Sequence, residues 1–351
     1  MRRRDFIKII AGSAAAWPLT ARAQQPPPVP VIGVLNGLSL SAAARNIEAF
    51  RSGLLDLGYF EGRDYSLEFR FADGFFDRLP KLAVELVAVK PAVIIAGSPP
   101  AAVAAHKATQ TIPIVMNSSQ DPVGLGLAAS LSRPGSNVTG FWWGDEHLLG
   151  KRLELLTKAV PGIKRIGYFN IPNDPTFVAI LTSLPAASAA LGLDTRIIDV
   201  QGPSDLDNAF ATAKRENRQA LLVGTGPFFV SHRAAVTALA AKAKLPTMYS
   251  IREFVLAGGL MSYGTDLANL YREKARFVDK LFKGASAADL PIERPSKVEL
   301  LINLKAAKAL GLTFSPSFLA TADEVIRFGS PVLSENSIAV GLCPLLGIKR
   351  T

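Results

Sequence analysis

The segment from Ile112 to Phe141 organises the rest of the chain, and its sequence is IPIVMNSSQDPVGLGLAASLSRPGSNVTGF. Its apolar start, Ile112 to Val115, is typical of a strand that is buried on both faces of a parallel sheet. Five polar residues, Asn117 to Asp121, follow, and Gly124 to Leu131 is predicted to form a short helix. A second strand is predicted from Asn137 to Phe141. Because ligands of open α/β sheets bind beyond the carboxyl ends of the strands, this segment is expected to form one wall of a ligand cleft and to lead into a second lobe.

Length and composition indicate a folded chain that can form one large domain or two of ordinary size. The chain has 351 residues, of which 49% are hydrophobic and 19% are charged, and this composition supports a sizeable core rather than disorder. Predicted strands and helices alternate in both halves, including a helix from Ser204 to Asn217 with Ser204 as its cap and a helix from Phe229 to Lys244. Such alternation predicts right-handed βαβ units. The expected fold class is therefore α/β, with two doubly wound parallel-sheet lobes.

The first 23 residues have the form of a twin-arginine export signal. The basic segment Arg3 to Lys8 precedes a short apolar run, Ile9 to Trp17, and the A-x-A sequence Ala21 to Ala23 precedes Gln24. A basic amphipathic helix is the alternative interpretation. The apolar run is too short for a permanent membrane anchor, so we expect a soluble protein exported to the periplasm.

The charge pattern and the few cysteines and histidines exclude several classes of function. Removal of the signal lowers the formal charge from +10 to +6, because the signal holds five basic residues and one acid. The remaining basic residues are scattered rather than grouped with aromatic residues, which argues against nucleic-acid binding. A single cysteine, Cys343, excludes an internal disulfide, and the three histidines lie far apart in the sequence. No metal or cofactor is expected.

Polar clusters follow six of the predicted strands, at the sheet edge where ligands bind, and this arrangement predicts two faces that close on a small polar molecule. Hydroxyl groups there can donate to a carboxylate, and helices that start near Pro99 and Pro122 favour an anion. An aspartate can pair with an ammonium group, and aromatic side chains can cover an apolar portion. The candidate ligand-binding residues are Asn36, Ser98, Ser118, Ser119, Asp121, Trp142, Asn173, Thr225, Phe228 and Asp266.

Each candidate also has a purely structural interpretation. Ser98, Asp121 and Asp266 are suitable helix caps, Trp142 with its neighbour can pack at a hinge, and Phe228 can belong to the core. The sequence contains no nucleophile elbow, phosphate loop, dinucleotide fingerprint or close pair of carboxylates. The protein is therefore not expected to be an enzyme.

A series of short motifs extends from about Val31 to Ile326. They are Ile32-Gly33-Val34, Phe50-Arg51-Ser52-Gly53-Leu54, Leu57-Gly58-Tyr59, Thr111-Ile112-Pro113-Ile114-Val115, Asp121-Pro122-Val123-Gly124, Arg133-Pro134-Gly135-Ser136-Asn137-Val138-Thr139-Gly140, Tyr263-Gly264-Thr265-Asp266, Ile302-Asn303 and Ala307-Lys308-Ala309-Leu310-Gly311. In combination these motifs resemble the periplasmic substrate-binding proteins of ABC transporters, in the family that includes tryptophan and tyrosine binders.

The resemblance implies a type I periplasmic binding protein fold, in which two lobes joined by three crossings close over a ligand. It places the family's binding loops at Ser98, at Ser118 to Asp121, at Thr225 and at Asp266. The chain departs from the aromatic amino-acid binders at Gly226 to Phe229, where those proteins carry an aspartate and an asparagine after the threonine. The missing acid favours a ligand that is less cationic than an amino acid.

These observations predict a monomeric binding protein that captures a small polar or aromatic ligand, amino-acid-like or carboxylate-bearing, for an ABC transporter permease. The alternatives are a ligand sensor for a membrane receptor and an enzyme on a related fold. Ser98, Ser118 and Ser119 are the expected partners of a carboxylate, and Asp266 of an ammonium group. The predicted organisation is a signal peptide (1–23), lobe 1 (29–141 with 264–297), lobe 2 (142–263 with 298–330) and a loosely attached tail (331–351).

Overall fold

The computed structural model describes residues 29–172, 174, 177–224 and 226–327. The predicted export signal and the predicted C-terminal tail lie outside the described residues. Within the described part, no helix combines the length and the apolar character that crossing a membrane requires.

The strands and helices alternate along most of the described chain. The strands are β1 (Val31–Asn36), β2 (Ser66–Phe71), β3 (Val93–Ala96), β4 (Ile114–Ser118), β5 (Val138–Trp142), β6 (Arg165–Asn170), β7 (Asp194–Asp199), β8 (Ala220–Val223), β9 (Thr247–Tyr249), β10 (Met261–Thr265), β11 (Ile292–Glu293), β12 (Val298–Asn303) and β13 (Glu324–Ile326). The α-helices are α1 (Leu40–Asp56), α2 (Leu79–Ala88), α3 (Pro99–Ala108), α4 (Asp145–Ala159), α5 (Val178–Ala189), α6 (Leu206–Arg215), α7 (Pro227–Ser231), α8 (Arg233–Ala243), α9 (Arg252–Leu256), α10 (Leu267–Phe282), α11 (Leu304–Ala309) and α12 (Pro316–Leu319).

The first sheet is parallel throughout, with its strands in the order β2-β1-β3-β4-β5-β11. Strands β3 and β4 are buried on both faces, because α1 and α10 cover one face while α2 and α3 cover the other. Alternate residues of β3 therefore enter different cores. Val93 and Ile95 pack with α1, and Ile94 and Ala96 pack with α2 and α3. We call the part of the chain built on this sheet lobe 1.

The second sheet has the order β7-β6-β8-β9-β10-β12-β13 and is parallel except where β12 runs antiparallel to β10. We call the part built on it lobe 2. The first five strands of each lobe follow the same order, so each sheet is doubly wound. The direction of winding reverses between β1 and β3 in lobe 1 and between β6 and β8 in lobe 2, and ligands of such sheets bind at these switch points.

The chain crosses between the lobes three times, namely after β5, between β10 and β11, and between β11 and β12. A buried ion pair connects the first two crossings. Arg152 of α4 donates to both carboxylate oxygens of Asp145, at 3.0 and 2.6 Å, and to the carbonyl of Tyr263 on β10 at 2.7 Å. The bidentate geometry fixes the direction in which α4 leaves the hinge. The expected fold class, two doubly wound lobes joined by three crossings, is confirmed.

Gly140 determines how closely β5 approaches β4. Its φ of +125° lies in a region that other residues rarely adopt, and a Cβ atom there would overlap the backbone of Met116 on the neighbouring strand. The close pairing that leads the chain into the first crossing therefore depends on a glycine at this position.

The predicted helix from Gly124 to Leu131 is wrong, since this segment forms consecutive turns. Gly126 adopts a left-handed conformation with φ +71°, which interrupts the helix before a second turn can form. The single helix predicted from Phe229 to Lys244 is divided at His232 into α7 and α8.

The predicted capping role of Ser204 is also wrong. A short 3₁₀ turn, Pro203–Asp205, precedes α6, and the first residue of the α-helix is Leu206. Asp205 occupies the N-cap position, but its carboxylate accepts from the Gln201 N–H at 3.0 Å and from the Asn208 side-chain amide at 2.9 Å, and it does not cap a backbone N–H of the helix.

Candidate ligand-binding site

A cavity of about 40 Å³ lies between the two lobes, at the carboxyl ends of β1, β3, β4 and β8. Ser98, Asn117, Ser119 and Trp143 line it from the side of lobe 1 and the first crossing, and Pro227 and Val230 line it from lobe 2. Both sheets therefore present their switch-point edges to the same space, as expected for a ligand site.

A larger cavity of about 270 Å³ lies within lobe 2, between α8, α9 and α11. It is adjacent to the amino ends of β9 and β10, where Thr247 and Leu260 line it. This is the opposite end of the sheet from the edge where ligands of doubly wound sheets bind. The interlobe cavity is therefore the better candidate in spite of its smaller volume.

Ser98 lines the interlobe cavity and also caps α3. Its hydroxyl accepts from the Ala101 N–H at 3.4 Å, and its carbonyl accepts from the Ala102 N–H at 2.9 Å. The two preceding helical residues are prolines and have no N–H group. The free N–H groups expected at this end of α3 are therefore not present, and the helix offers an anion only its partial charge.

Ser118 and Ser119 have different environments although they are adjacent. Ser118 is fully buried, and its hydroxyl donates to the Gln120 carbonyl at 2.7 Å and accepts from the Gln120 N–H at 3.2 Å. These two bonds hold the turn that follows β4. Ser119 lines the cavity and has the more accessible position for a ligand.

Asp121 is exposed and lies outside the residues that line the cavity. Its carboxylate accepts from the N–H groups of Val123 and Gly124 at 3.0 and 3.1 Å. This geometry corresponds to the capping interpretation, although the cap stabilises a turn rather than a helix.

Asn36 is completely buried at the end of β1, behind the cavity. Its side chain donates to the Tyr271 hydroxyl at 3.1 Å and accepts from the Leu38 N–H at 3.0 Å. Both groups of the amide are therefore used within the protein, and Asn36 fixes the floor of the site.

The structure separates the two adjacent tryptophans. Trp142 enters the core beneath α2 and α3, where the Arg294 guanidinium lies 4.0 Å from its ring centroid. Trp143 lines the interlobe cavity. Successive residues at the end of a strand point to opposite faces, so only one of the pair can reach a ligand, and the structure places Trp143 there.

Phe228 lies in α7, within the core of lobe 2. Its ring centroid is 5.3 Å from that of Phe229 and 4.5 Å from that of His232. The residues of α7 that line the cavity are Pro227 and Val230, which gives the lobe 2 wall an apolar surface.

Asp266 is the N-cap of α10, where it accepts from the N–H groups of Ala268 and Asn269 at 3.0 and 3.3 Å. Its carboxylate also lies 3.5 Å from a guanidinium nitrogen of Arg252 and 3.9 Å from one of Arg45. Both arginines contact other carboxylates more closely, Arg252 with Glu324 at 2.7 Å and Arg45 with Glu253 at 3.1 Å, so they balance the charge of Asp266 only in part. Asp266 also lies outside the residues that line the cavity, which places it poorly for a ligand ammonium group.

Two further candidates, Asn173 and Thr225, lie outside the described residues. Among the described candidates, Ser98 and Ser119 line one cavity, while Asn36 and Ser118 lie just behind it.

The cavity also depends on two residues that were not among the candidates, Asn117 and Lys274. The Asn117 amide donates to the Gly97 carbonyl at 3.1 Å and accepts from the Lys274 amine at 2.5 Å. Lys274 is completely buried, and burial lowers its pKa well below the ordinary value. A lysine on the apolar face of α10, between Tyr271 and Val278, was the sequence signal that could have identified it.

The amino-acid sequence matches a known family of proteins. A model of the family described as ABC transporter substrate binding protein matches residues 31–326. The chain belongs to this family. A relative, the tyrosine-binding protein of Clostridioides difficile, is 28% identical to this substrate-binding protein over 265 residues, which cover 76% of each chain.

Two solved structures support the same assignment for this substrate-binding protein. One is an ABC domain from Streptococcus pneumoniae in complex with L-Trp, with a TM-score of 0.77, 25% identity and coverage of 85% of this chain and 100% of that chain. The other is a conserved domain protein from Vibrio cholerae, with a TM-score of 0.77, 25% identity and coverage of 85% and 99%. The fold is that of the type I periplasmic binding proteins.

Proposed function

We propose that this substrate-binding protein is exported to the periplasm and captures a small aromatic carboxylate, such as an aromatic amino acid, for an ABC transporter permease. The main support is the interlobe cavity, which combines polar groups from β3 and β4 with Trp143 and the apolar surface of α7. Two similar proteins, a tyrosine-binding protein and an ABC domain solved in complex with L-Trp, agree with this ligand class.

Hinge closure is part of the proposal. A cavity of about 40 Å³ holds a few water molecules at most, whereas small-molecule sites typically enclose roughly 300–1,000 Å³. The lobes must therefore separate before a ligand can enter. The polar contacts across the cleft are few enough for this motion: Arg45 of lobe 1 lies 3.1 Å from Glu253 of lobe 2, and the Ser39 N–H donates to the Ser231 hydroxyl at 3.4 Å.

We propose Ser98, Ser119 and Trp143 as the residues that contact the ligand directly. The hydroxyl groups suit a carboxylate, and the indole ring suits an aromatic portion. Because Asp266 does not line the cavity, we expect the carboxylate of the ligand to contribute more to affinity than any ammonium group. The division into lobes proposed from the sequence, 29–141 with 264–297 and 142–263 with 298–330, remains part of this proposal. The sheets differ from it by one or two residues, since β5 extends to Trp142 in lobe 1 and β10 extends to Thr265 in lobe 2.

A thermal-shift screen tests the proposed ligand class. The probes are L-tryptophan and L-tyrosine, the amino-free acids 3-indolepropionate and 3-phenylpropionate, and the carboxylate-free amines tryptamine and tyramine. A ligand of the native state stabilises the protein by RT ln(1 + [L]/Kd), about 4 kcal/mol at a thousandfold excess over Kd. We expect the acids to raise the melting temperature and the amines to have little effect.

Two matched variants locate the site in the same screen. Trp143→Ala should abolish most of the shift, whereas Trp142→Ala, the neighbouring residue outside the cavity, should lower intrinsic stability but retain the shift. Stabilisation by the amines alone, or an equal loss of the shift in both variants, would contradict the proposal.

A further inference from the structure

Lys274 is a lysine in a position that normally holds an apolar residue. It lies on the buried face of α10 with Leu270, Tyr271 and Val278, and its exposed fraction is 0%. Lysine is almost never fully buried unless it is paired, because removing the charged amine from water is costly. A fully buried lysine beside a ligand cleft is therefore a candidate for a functional group.

No ion pair forms between Lys274 and any carboxylate of the described residues. Its amine donates to the side-chain oxygen of Asn117 at 2.5 Å and to the Ala96 carbonyl at 3.4 Å, and it lies 4.0 Å from the centroid of the Tyr271 ring. All three partners are uncharged acceptors, so no permanent negative charge in its immediate surroundings balances the ammonium form.

The charged groups on neighbouring elements are directed elsewhere. Tyr271 is the titratable side chain that contacts Lys274, and burial raises its pKa, so it stays neutral. The neighbouring strands present neutral groups to this region. They are the Asn36 amide of β1, the Ala96 carbonyl of β3 and the Asn117 amide of β4. On α10 itself, Glu273, the residue before Lys274, forms an ion pair with Arg276, and Arg276 also pairs with Glu293. On α1, which packs along α10, Arg45 pairs with Glu253 and Arg51 pairs with Glu48.

One side chain, that of Asn117, separates the amine from the cavity. Asn117 lines the cavity together with Gly97 and Ser98, and its amide connects Lys274 to the Gly97 carbonyl. The packing is tight, since a Cβ atom at Gly97 would lie 2.5 Å from the Asn36 amide nitrogen and 2.6 Å from the Tyr271 hydroxyl. A charge on the amine therefore acts on the cavity through a rigid, low-dielectric layer, where electrostatic interactions are strong.

We propose that Lys274 is a positioning residue that supplies the positive charge for an anionic ligand in the interlobe cavity, and that the ligand binds together with a proton taken up by this amine. The inference rests on the proposed function, because it requires the cleft to bind a carboxylate. The inference adds an electrostatic reason for the site to prefer anions. The N-terminus of α3 cannot supply this preference through free N–H groups, because its first two residues are prolines.

The proposal determines how the affinity for an anionic ligand changes with pH. Without ligand, burial lowers the pKa of Lys274, and a carboxylate in the cavity stabilises the charged amine and raises this pKa. Between the two pKa values, binding takes up as much as one proton. Affinity for an anion therefore falls as pH rises, by at most tenfold per pH unit.

Isothermal titration calorimetry of the complete exported protein tests this coupling with L-tryptophan and 3-indolepropionate as probes. Titrations in buffers of different ionisation enthalpy, from pH 6 to pH 8.5, measure the number of protons exchanged. The carboxylate of neither probe titrates in this range, so we expect net proton uptake by the wild type and affinity that declines with pH.

Lys274→Met keeps a side chain of similar length and should bind with lower affinity, without proton uptake and without the pH dependence. The matched control is Lys283→Met at the C-cap of the same helix, where the lysine side chain is 70% exposed. This variant should retain both the proton uptake and the pH dependence. Binding to the wild type without proton uptake, or equal uptake by Lys274→Met, overturns this inference alone. Failure of every acid probe to bind the wild type refutes the proposed ligand class and this inference with it.

Discussion

The free energy of unfolding should depend on pH in a way that Lys274→Met removes. The amine of Lys274 is fully buried with only neutral partners, and burial lowers its pKa well below 10.5. In the unfolded chain the same amine titrates near its ordinary pKa of about 10.4. Between these two pKa values, the unfolded state therefore binds a proton that the folded state does not bind.

This difference in bound protons determines the sign and the slope of the pH dependence of the free energy of unfolding. Wild-type stability should rise with pH by up to about 1.4 kcal/mol per pH unit in the window below pH 10.4, relative to a protein without this amine. Above that window, the contribution of Lys274 no longer changes with pH. Below its folded pKa, the amine is charged in both states, so the destabilisation is largest and constant.

The slope is a sharper test than stability at a single pH. Lys274→Met eliminates the cost of burying the amine, but it also leaves the Asn117 side-chain oxygen without its donor, at a cost of about 1–3 kcal/mol. These effects oppose each other at any one pH, but only the first changes with pH.

Urea unfolding of the wild type and of Lys274→Met at pH 7, 8, 9 and 10 measures the slope. The stability of the variant relative to the wild type should decrease as pH rises. Lys283→Met, which alters an exposed lysine at the C-cap of the same helix, controls for general effects of charge. A difference between wild type and Lys274→Met that is constant from pH 7 to pH 10 would refute the assignment of a lowered pKa.

The remaining predictions concern the strand junction, the cleft and export. Gly140→Ala places a Cβ atom against the neighbouring strand at φ +125° and should lower the free energy of unfolding by about 3 kcal/mol or more, as measured by urea unfolding. The control Gly162→Ala, where φ is +81° and the surrounding space is open, should lower it by only about 1 kcal/mol. Arg45→Ala removes an ion pair between the lobes and should increase the radius of gyration of the ligand-free protein in small-angle X-ray scattering, whereas an unchanged radius would show that this pair does not hold the cleft closed. The double substitution Arg3→Lys with Arg4→Lys should retain the protein in the cytoplasm in cell fractionation, and normal export would contradict a twin-arginine signal.

The sheet architecture could be predicted because it depends on local patterns. Short apolar runs such as Val93 to Ala96 are buried on both faces, and their alternation with amphipathic helices leaves few possible topologies. The helix predicted after Pro122 failed for a local reason: Gly126 adopts a left-handed conformation, and the sequence shows only that glycine permits it.

The side chains of the site were harder to predict because their roles depend on contacts between distant residues. Trp142 and Trp143 differ by one position, and a shift of one residue exchanges the two faces of a strand. Lys274 and Asn117 are 157 positions apart, and no local pattern connects them. Asp266 was predicted to bind an ammonium group, because its contacts with Arg45 and Arg252 form only in the folded chain and cannot be read from the sequence.

Hydrogen–deuterium exchange with and without L-tryptophan tests the central claim, that a ligand binds between the two lobes, most directly. The interlobe cavity is lined by residues 97–99, 117 and 119 on one side and by residues 227 and 230 on the other. The proposal predicts that saturating ligand slows exchange on both sides together. Protection confined to residues 237–260 and 303–310, which line the larger cavity of lobe 2, would contradict it.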